Sequence, residues 1–485
     1  MNYEKQLRHI IKAEDRVGVS GKLSYSLGFA GKDTIMTVVN NFLMPFLMMV
    51  AGLNPAFIGT MMLLARVWDA VNDPIIGTLA DHTHSKWGKY RPYFIFSSIP
   101  MAIIFAALMF VPNFGNSGKQ VYYTIVYILW GMCFTVVEVP YFGMIPAMSS
   151  DPFERASITA WSRIVSRIPA IGLPIIVGLL TNVSREQMEG DPAGAVAIQQ
   201  NGYFKVALLC GGLVIVTSVI SFFGCKEKAV SMEPAAKKAH GFRSFAEILK
   251  GNYALLMVML VQLFFVFNTI LCDMLNVNYV MYYLKSPALL GGIIVAAVAF
   301  GCIIGQILFP YVLGVVGSGK HIMVVGTLIY VVLLGLNYIA GTISVPVFMA
   351  VLIICNAFTG ALQICVVNMC FEVCDMVEWK TGERADATIF AIVSFLMKLA
   401  AGLAATIAGW GLSLAGFSGG MGPWMGEVTP RMANALAIIR FAIPAGLAFI
   451  AFIMAIFYPI GKEQNINIQK ALEEKRNTKT YLKEE

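Results

Sequence analysis

Twelve apolar runs, each long enough to cross a lipid bilayer, constrain this chain more than any other feature. They fall near 24–51, 55–80, 92–112, 120–146, 157–181, 202–224, 253–284, 289–315, 321–341, 345–371, 388–415 and 435–460. A spanning helix needs about 20 mostly apolar residues, because inside hydrocarbon every backbone polar group must be satisfied by the helix itself. Composition agrees: 58% of residues are hydrophobic and 13% charged, against about 25% charged in soluble domains. The reading is an all-α membrane protein of twelve transmembrane helices. The first 22 residues are polar and basic, with no apolar core ahead of a small-residue cleavage site, so no cleavable signal is expected.

The longest polar break, "CKEKAVSMEPAAKKAHGFRSFAEILKGN", follows the sixth run. It divides the chain into an N-terminal segment 1–22, a six-helix half 23–224, a central loop 225–252, a second six-helix half 253–461 and a tail 462–485. Alternate loops are rich in Lys and Arg, while the others hold only Lys119, Arg185, Lys205, Lys285 and Arg431. The positive-inside rule therefore puts both termini in the cytoplasm of a multi-pass cell-membrane protein. The net charge of +7 is used up by those loops and implies no nucleic-acid partner. Two six-helix halves around a basic central loop are the layout of the major facilitator fold.

Function must come from the polar residues inside the apolar runs. In "LLARVWDAVNDPIIG", Asp69, Asn72 and Asp73 recur at i, i+3 and i+4, with Arg66 one turn before. That spacing puts all four on one helix face. An ionised side chain at the bilayer centre costs roughly 2.5–3.5 kcal/mol on insertion scales. Two neighbouring carboxylates cannot both stay ionised there unless a cation joins them. Oxygen ligands select a hard ion such as Na⁺ or Li⁺; otherwise one carboxylate takes a proton, or the group is an Arg–Asp lock with no ion.

Further charges recur in the first half. They are Lys32 and Asp33 in "GFAGKDTIM", Glu138 with the hydroxyl of Thr135 one turn before it in "WGMCFTVVEVPYF", and Arg163 and Arg167 in "WSRIVSRIPA". The second half adds Lys398, with Ser394 one turn before it. Left unpaired, the first-half charges would together cost on the order of 20 kcal/mol, so they are expected to meet in one wet cavity. Carboxylates, guanidinium groups and aromatic faces suit a polyhydroxylated ligand. Arg440, near the outer end of the last run, is expected to snorkel to water. The nine cysteines form no metal-ligand pattern and are read as packing residues.

An intramembrane enzyme has little support, because no nucleophile–base pair or His cluster appears and all five histidines flank cytoplasmic segments. A structural or lipid-handling membrane protein with internal ion pairs stays open.

The runs "SYSLGFAGKD", "LLARVWDAVNDPIIG", "KWGKYRP", "YILWGMCFTVVEVPYFGMIP" and "DMVEWKTGERADATIFAIVSFLMKLAAG" resemble the glycoside–pentoside–hexuronide:cation symporters, from about residue 23 to 460. The resemblance implies Na⁺ held by Asp69, Asn72, Asp73 and Thr135 with Arg66 coupling it to the substrate. It implies a sugar site at Lys32, Asp33, Glu138, Phe142, Arg163 and Lys398, with Ser394, Gln363 and Arg167 nearby. Glu138 stands where the melibiose-carrying branch of that family has Asp, Phe142 where it has a sugar-stacking Trp, and Gln363 where it has a second Trp. Arg167 has no counterpart there. The cavity set is Lys32, Arg66, Arg163, Arg167 and Lys398 against Asp33, Asp69, Asp73 and Glu138, five positive against four negative. An acidic sugar would balance it; alternatively Arg167 pairs with Glu138 or points into the helix bundle, and the sugar is neutral. At the inner end of the tenth run, Glu372, Asp375 and Glu378 with Arg384, and Arg155 of the fifth, are read as a cytoplasmic gate. Asp81 and the basic residues after it are expected to cap helix ends. The expected protein is a monomeric Na⁺-coupled sugar importer with no cofactor beyond its coupling ion, Li⁺ or H⁺ being the other candidates. The competing reading is an H⁺-coupled carrier of a hexuronide.

Overall fold

A computed structural model describes residues 16–81, 83, 85–149, 152–227, 252–381, 386–420, 428–468 and 470–472. Among them the secondary structure is helical throughout, as the apolar runs require. The first half comprises α1 (Val19–Pro45, continued by a π turn, Phe46–Val50), α2 (Pro55–Asp81), α3 (Arg91–Leu108), α4 (Asn116–Met148), α5 (Pro152–Leu180), the short α6 (Arg185–Gly190) and α7 (Pro192–Gly224). The second comprises α8 (Tyr253–Asn278, with a π turn Tyr279–Tyr283), α9 (Ala288–Val316), α10 (Gly319–Ile343), α11 (Val345–Thr381) and α12 (Asp386–Leu414). It ends with α13 (Pro430–Ala437), a π turn (Ile438–Ala442) and α14 (Ile443–Phe457), which together form one span.

Eleven of these helices are long and apolar enough to cross a membrane among the described residues. Helix α2 is the twelfth: its 27 residues reach about 40 Å at 1.5 Å per residue, but Arg66, Asp69 and Asp73 interrupt its apolar surface. Several helices outrun their apolar stretches. Helix α11 continues ten residues past 371, to Thr381, because helical hydrogen bonding does not stop where the hydrocarbon does.

The chain forms two compact units. The first joins Met1–Ala235 with Asn276–Ala296 and Gly409–Ala433; the second joins Ala236–Leu275, Ala297–Ala408 and Asn434–Glu485. In the first, α1 packs on α5 and α7, α3 on α4 and α7, and α2 on α4. Close approach of α1 to α7 depends on glycine. A Cβ at Gly28 would fall on the hydroxyls of Ser221 and Tyr141, and one at Gly31 on the Thr217 hydroxyl. Without a hydrophobic force between helices in lipid, such small-residue contacts carry the packing. In the second unit α10 packs on α11 and α14, around an interior of Cys355, Cys365, Cys370 and Cys374 with Met369, Val373 and Ile389. Those cysteines are packing residues in the structure, and none is in a disulfide.

The loop before α3 shows why "KWGKYRP" reads as it does. The Glu227 carboxylate, just beyond α7, accepts from the backbone N–H groups of Lys89, Tyr90 and Arg91 at 2.7, 2.8 and 3.0 Å. An anion at the start of α3 satisfies donors that the helix cannot. Arg91 in turn donates to the Phe222 carbonyl near the end of α7 through Nε and Nη2, at 3.0 and 2.6 Å. The basic cap expected of this loop is thus Arg91. The acidic cap is Glu227, while the side chain of Asp81 lies outside the described residues.

Candidate functional site

Two polar centres lie inside the first unit. The first is built on α2 and α4. Arg66 Nη1 donates to Asp69 Oδ2 at 3.1 Å, both side chains being almost fully buried. One turn on, Asp73 Oδ1 accepts from the Thr135 hydroxyl of α4 at 3.0 Å. Between these pairs, Asp69 Oδ1 and the Asn72 amide nitrogen are buried with no hydrogen-bond partner. Helix α4 presents Gly131 here: a Cβ at that position would stand 2.8 Å from Asp69 Oδ1. Glycine therefore leaves room beside a buried, unsatisfied carboxylate oxygen. An amide's oxygen and nitrogen are interchangeable at this level of description, so a half-turn of Asn72 would offer its carbonyl oxygen at the same place. Asp69, Asn72, Asp73 and Thr135 form a hard-oxygen donor set that fits an alkali cation. The sequence spacing anticipated three of the four residues, and the structure brings Thr135 to Asp73. Nothing in the sequence pointed to Gly131.

The second centre is a caged ammonium. Lys32 is 2% exposed. Its Nζ is 2.7 Å from Asp33 Oδ1 and 3.3 Å from Glu138 Oε1. Neighbours i and i+1 do not share a helix face, so Lys32 reaches Asp33 only by bending back along α1. The ammonium lies 4.1 Å from the Phe29 ring centroid, 5.4 Å from that of Phe134 and 5.9 Å from that of Phe142. Aromatic faces complement a desolvated cation in this way. Arg163 approaches the same Phe29 ring, its guanidinium carbon 5.5 Å from the centroid. Phe142 makes an edge contact with Phe29 at 5.8 Å and is 45% exposed, leaving a free aromatic face beside the charges.

Arg163 and Arg167 lie one turn apart on α5, with the unpartnered buried hydroxyl of Ser166 between them. Neither arginine has a carboxylate partner within salt-bridge distance among the described residues. Glu138 is engaged by Lys32 and not by Arg167, so the neutralising Arg167–Glu138 pair that the sequence allowed is not formed.

Gln363 and Lys398 are half-buried, and Ser394 exposed, in the second unit. Arg155 Nε donates to the Ser149 carbonyl at 2.7 Å in the first unit. Glu372 is 7% exposed and is held inside its own unit by neutral donors. The Tyr458 hydroxyl lies 3.2 Å from its Oε2, and the amides of Asn368 and Asn465 lie 3.2 and 3.3 Å from its Oε1. It forms no ion pair among the described residues. Asp375 and Glu378 follow it on α11, half-buried, and Arg384 lies outside the described residues. Arg440 does not snorkel. It is 3% exposed, with Nη1 3.0 Å from Cys272 Sγ and its guanidinium carbon 4.9 Å from the Phe441 centroid. Its π turn carries an extra residue per turn, which aims the side chain into the helix bundle instead of along it.

The family model for MFS/sugar transport proteins matches residues 24–462. The chain belongs to this family. It is therefore a major facilitator transporter of the sugar-symporter type and not an enzyme, as its helical architecture and lack of a nucleophile–base pair led us to expect. It is 25% identical over 406 residues to the isoprimeverose transporter of Lactiplantibacillus pentosus, covering 82% of this chain and 81% of that protein. It is 24% identical over 465 residues to the glucuronide carrier protein homolog of Escherichia coli K12, covering 95% and 96%. Among solved structures, a bacterial homolog of the human lysosomal transporter Spinster, inward-facing and unoccupied, superposes with a TM-score of 0.65 at 15% identity, over 93% of this chain and 97% of that one. That likeness concerns the fold alone.

Proposed function

We propose that this transporter is a Na⁺-coupled symporter that carries an anionic sugar into the cell by alternating access, with both termini in the cytoplasm. The observation that carries the ion assignment is the buried, unsatisfied Asp69 Oδ1 beside the Asn72 amide and Gly131. A proton on Asp69 would use the Asn72 carbonyl alone, whereas a cation draws on Asp69, Asn72, Asp73 and Thr135 together. With the ion bound, the repulsion between Asp69 and Asp73 is offset and Arg66 is no longer their sole counter-charge. Substrate affinity rises in consequence, and linkage requires substrate to raise ion affinity by the same factor.

The substrate class rests on charge. Lys32, Arg66, Arg163 and Arg167 are four positive groups in the first unit against Asp33, Asp69, Asp73 and Glu138, four negative ones. One added Na⁺ leaves one positive charge in excess, and Arg163 and Arg167 are the groups without a carboxylate. Arg163 is exposed and Arg167 half-buried, so both are open to a ligand, and a guanidinium binds a carboxylate bidentately. Hydroxyls of the same ligand would exchange for the contacts that Asp33 and Glu138 make to Lys32, and a ring's C–H face would pack on Phe142. The likeness to a glucuronide carrier homolog supports an acidic sugar. Lys398, Ser394 and Gln363 remain implied by the family resemblance alone, as does the gate of Arg155, Glu372, Asp375, Glu378 and Arg384.

Thermal unfolding of the purified protein with matched pairs, a glucoside against its glucuronide, with and without Na⁺, tests both parts. The glucuronide should stabilise the protein more than the glucoside, and only with Na⁺ present. Equal stabilisation by the neutral sugar, together with an unchanged ratio in Arg167→Gln, would overturn the substrate class. Stabilisation that follows pH and ignores Na⁺ would overturn the ion.

A further inference from the structure

The second unit has a cavity of its own at the end of α11 that carries Lys380. The start of α8 (Tyr253), the last turn of α11 (Trp379, Lys380) and helical residues 462–468 after α14 (Gln464, Asn467, Ile468) enclose a partly open space of about 460 Å³. That volume is in the range of small-molecule sites. Its chemistry is lopsided. The lining contains one charged side chain, Lys380, two amides and otherwise apolar groups, and no carboxylate. Lys380 is exposed and enters no hydrogen bond or ion pair among the described residues. Tyr253 and Trp379, at the ends of two spanning helices, are 54% and 41% exposed. Tyr and Trp in that position mark the headgroup level of a membrane, where one side of the ring is apolar and the other wet.

A lone cation on an apolar wall complements an amphiphilic anion. We propose that this cavity seats the headgroup of an anionic phospholipid of the cytoplasmic leaflet. Its phosphate is held by the Lys380 ammonium, with the amides of Gln464 and Asn467 donating to phosphate and headgroup oxygens. Its glycerol and first methylenes lie against Tyr253, Trp379 and Ile468. A phosphodiester brings the single negative charge that the lining lacks, and the acyl chains continue into the bilayer that the two aromatics already face. Basic pockets at the cytoplasmic ends of transmembrane helices recognise lipid phosphates by this combination. Because residues 462–468 form one wall, the lipid would also hold this helix to α8 and α11, the same stretch from which Asn465 reaches Glu372. The site is separate from the sugar and ion centres and does not depend on what they bind; it rests only on cytoplasmic termini.

The test uses the full-length protein in phosphatidylcholine nanodiscs doped with either phosphatidylglycerol or phosphatidylcholine brominated near the headgroup end of the chains. Quenching of the Trp379 component, isolated by subtracting the Trp379→Phe signal, is the readout. Brominated phosphatidylglycerol should occupy the site about fivefold better than the phosphatidylcholine at equal fraction, the factor expected for one lysine near an anionic headgroup. Lys380→Gln should abolish the preference and Lys380→Arg should retain it, while Lys205→Gln should leave it unchanged. If Lys380→Gln does not fold, Asn467→Ala in the same assay should halve the preference or more. Equal quenching by the two lipids, or a preference that survives both variants, would overturn the proposal. Relief of quenching by millimolar glycerol 3-phosphate would also overturn it, since the site would then take a soluble phosphate.

Discussion

The two units handle buried charge in opposite ways. In the first, Asp33, Asp69, Asp73 and Glu138 within the spanning helices each meet a cation or a hydroxyl of another residue, and one carboxylate oxygen of Asp69 is left over. In the second, Glu372 is surrounded by a phenol and two amides, all neutral. Fixed dipoles that satisfy both oxygens of a carboxylate make a finished structure. Mobile charges that satisfy it incompletely make a place where ligands can exchange. The first unit's centres are the ones we propose to bind ligands, while Glu372 ties α11 to Tyr458 and residues 462–468.

The largest expected effect comes from breaking the unfinished centre. Asp69→Asn removes the carboxylate that both Arg66 and the ion use, and disrupting a buried ion pair costs about 3 kcal/mol or more. Thermal unfolding should fall accordingly, and stabilisation by Na⁺ should vanish. Retained Na⁺ stabilisation would place the ion elsewhere. The variant Asp73→Cys should lose Na⁺-stimulated uptake as well.

Gly131→Ala sharpens the comparison without touching a charge. A Cβ 2.8 Å from Asp69 Oδ1 forces the carboxylate or α4 to give way by a few tenths of an ångström. Affinity for Na⁺ should weaken by about tenfold, equivalent to about 1.4 kcal/mol, with the unfolding temperature in Na⁺-free buffer little changed. Calorimetric titration of Na⁺ checks it, and unchanged affinity would show that the room beside Asp69 has no ligand to hold.

Asp33→Ala and Arg163→Ala should remove sugar binding while sparing Na⁺ binding, since neither residue touches the α2 cluster. Loss of both ligands together would point to misfolding. In the finished centre, Tyr458→Phe should cost about 2 kcal/mol, the worth of one hydrogen bond to a buried carboxylate, and leave Na⁺ and sugar affinities alone. A large fall in uptake without a fall in stability would mean that Glu372 works in the transport cycle and is more than a fastener.

How far the sequence reached follows from the range of the forces involved. Hydrocarbon imposes its demand on every residue of a span, so the twelve runs were visible without any tertiary information. The face shared by Arg66, Asp69, Asn72 and Asp73 was equally visible, because helical spacing is a local property. Thr135, on a different helix, was visible beside Glu138, but its place with Asp73 came only through resemblance.

Partner choice across helices was decided by tertiary structure alone. Lys32 could have met any acidic group; beside its own neighbour Asp33, the approach of α4 gave it Glu138, and so left Arg167 without the Glu138 partner that the sequence permitted. Arg440 looked like a snorkelling residue from its depth in the last run, but a π turn redirected it inward. By spacing Glu372 reads as one of a row of gating acids, and the structure buries it against Tyr458 and Asn465 from beyond the last span. Gly131 and Glu227 carried no sequence signal, since their roles are the space one leaves and the backbone the other caps. Burial of apolar surface and local spacing are summed along the chain, so they can be read from its order. Which charge faces which depends on how whole helices rotate and approach, and only the folded molecule fixes that.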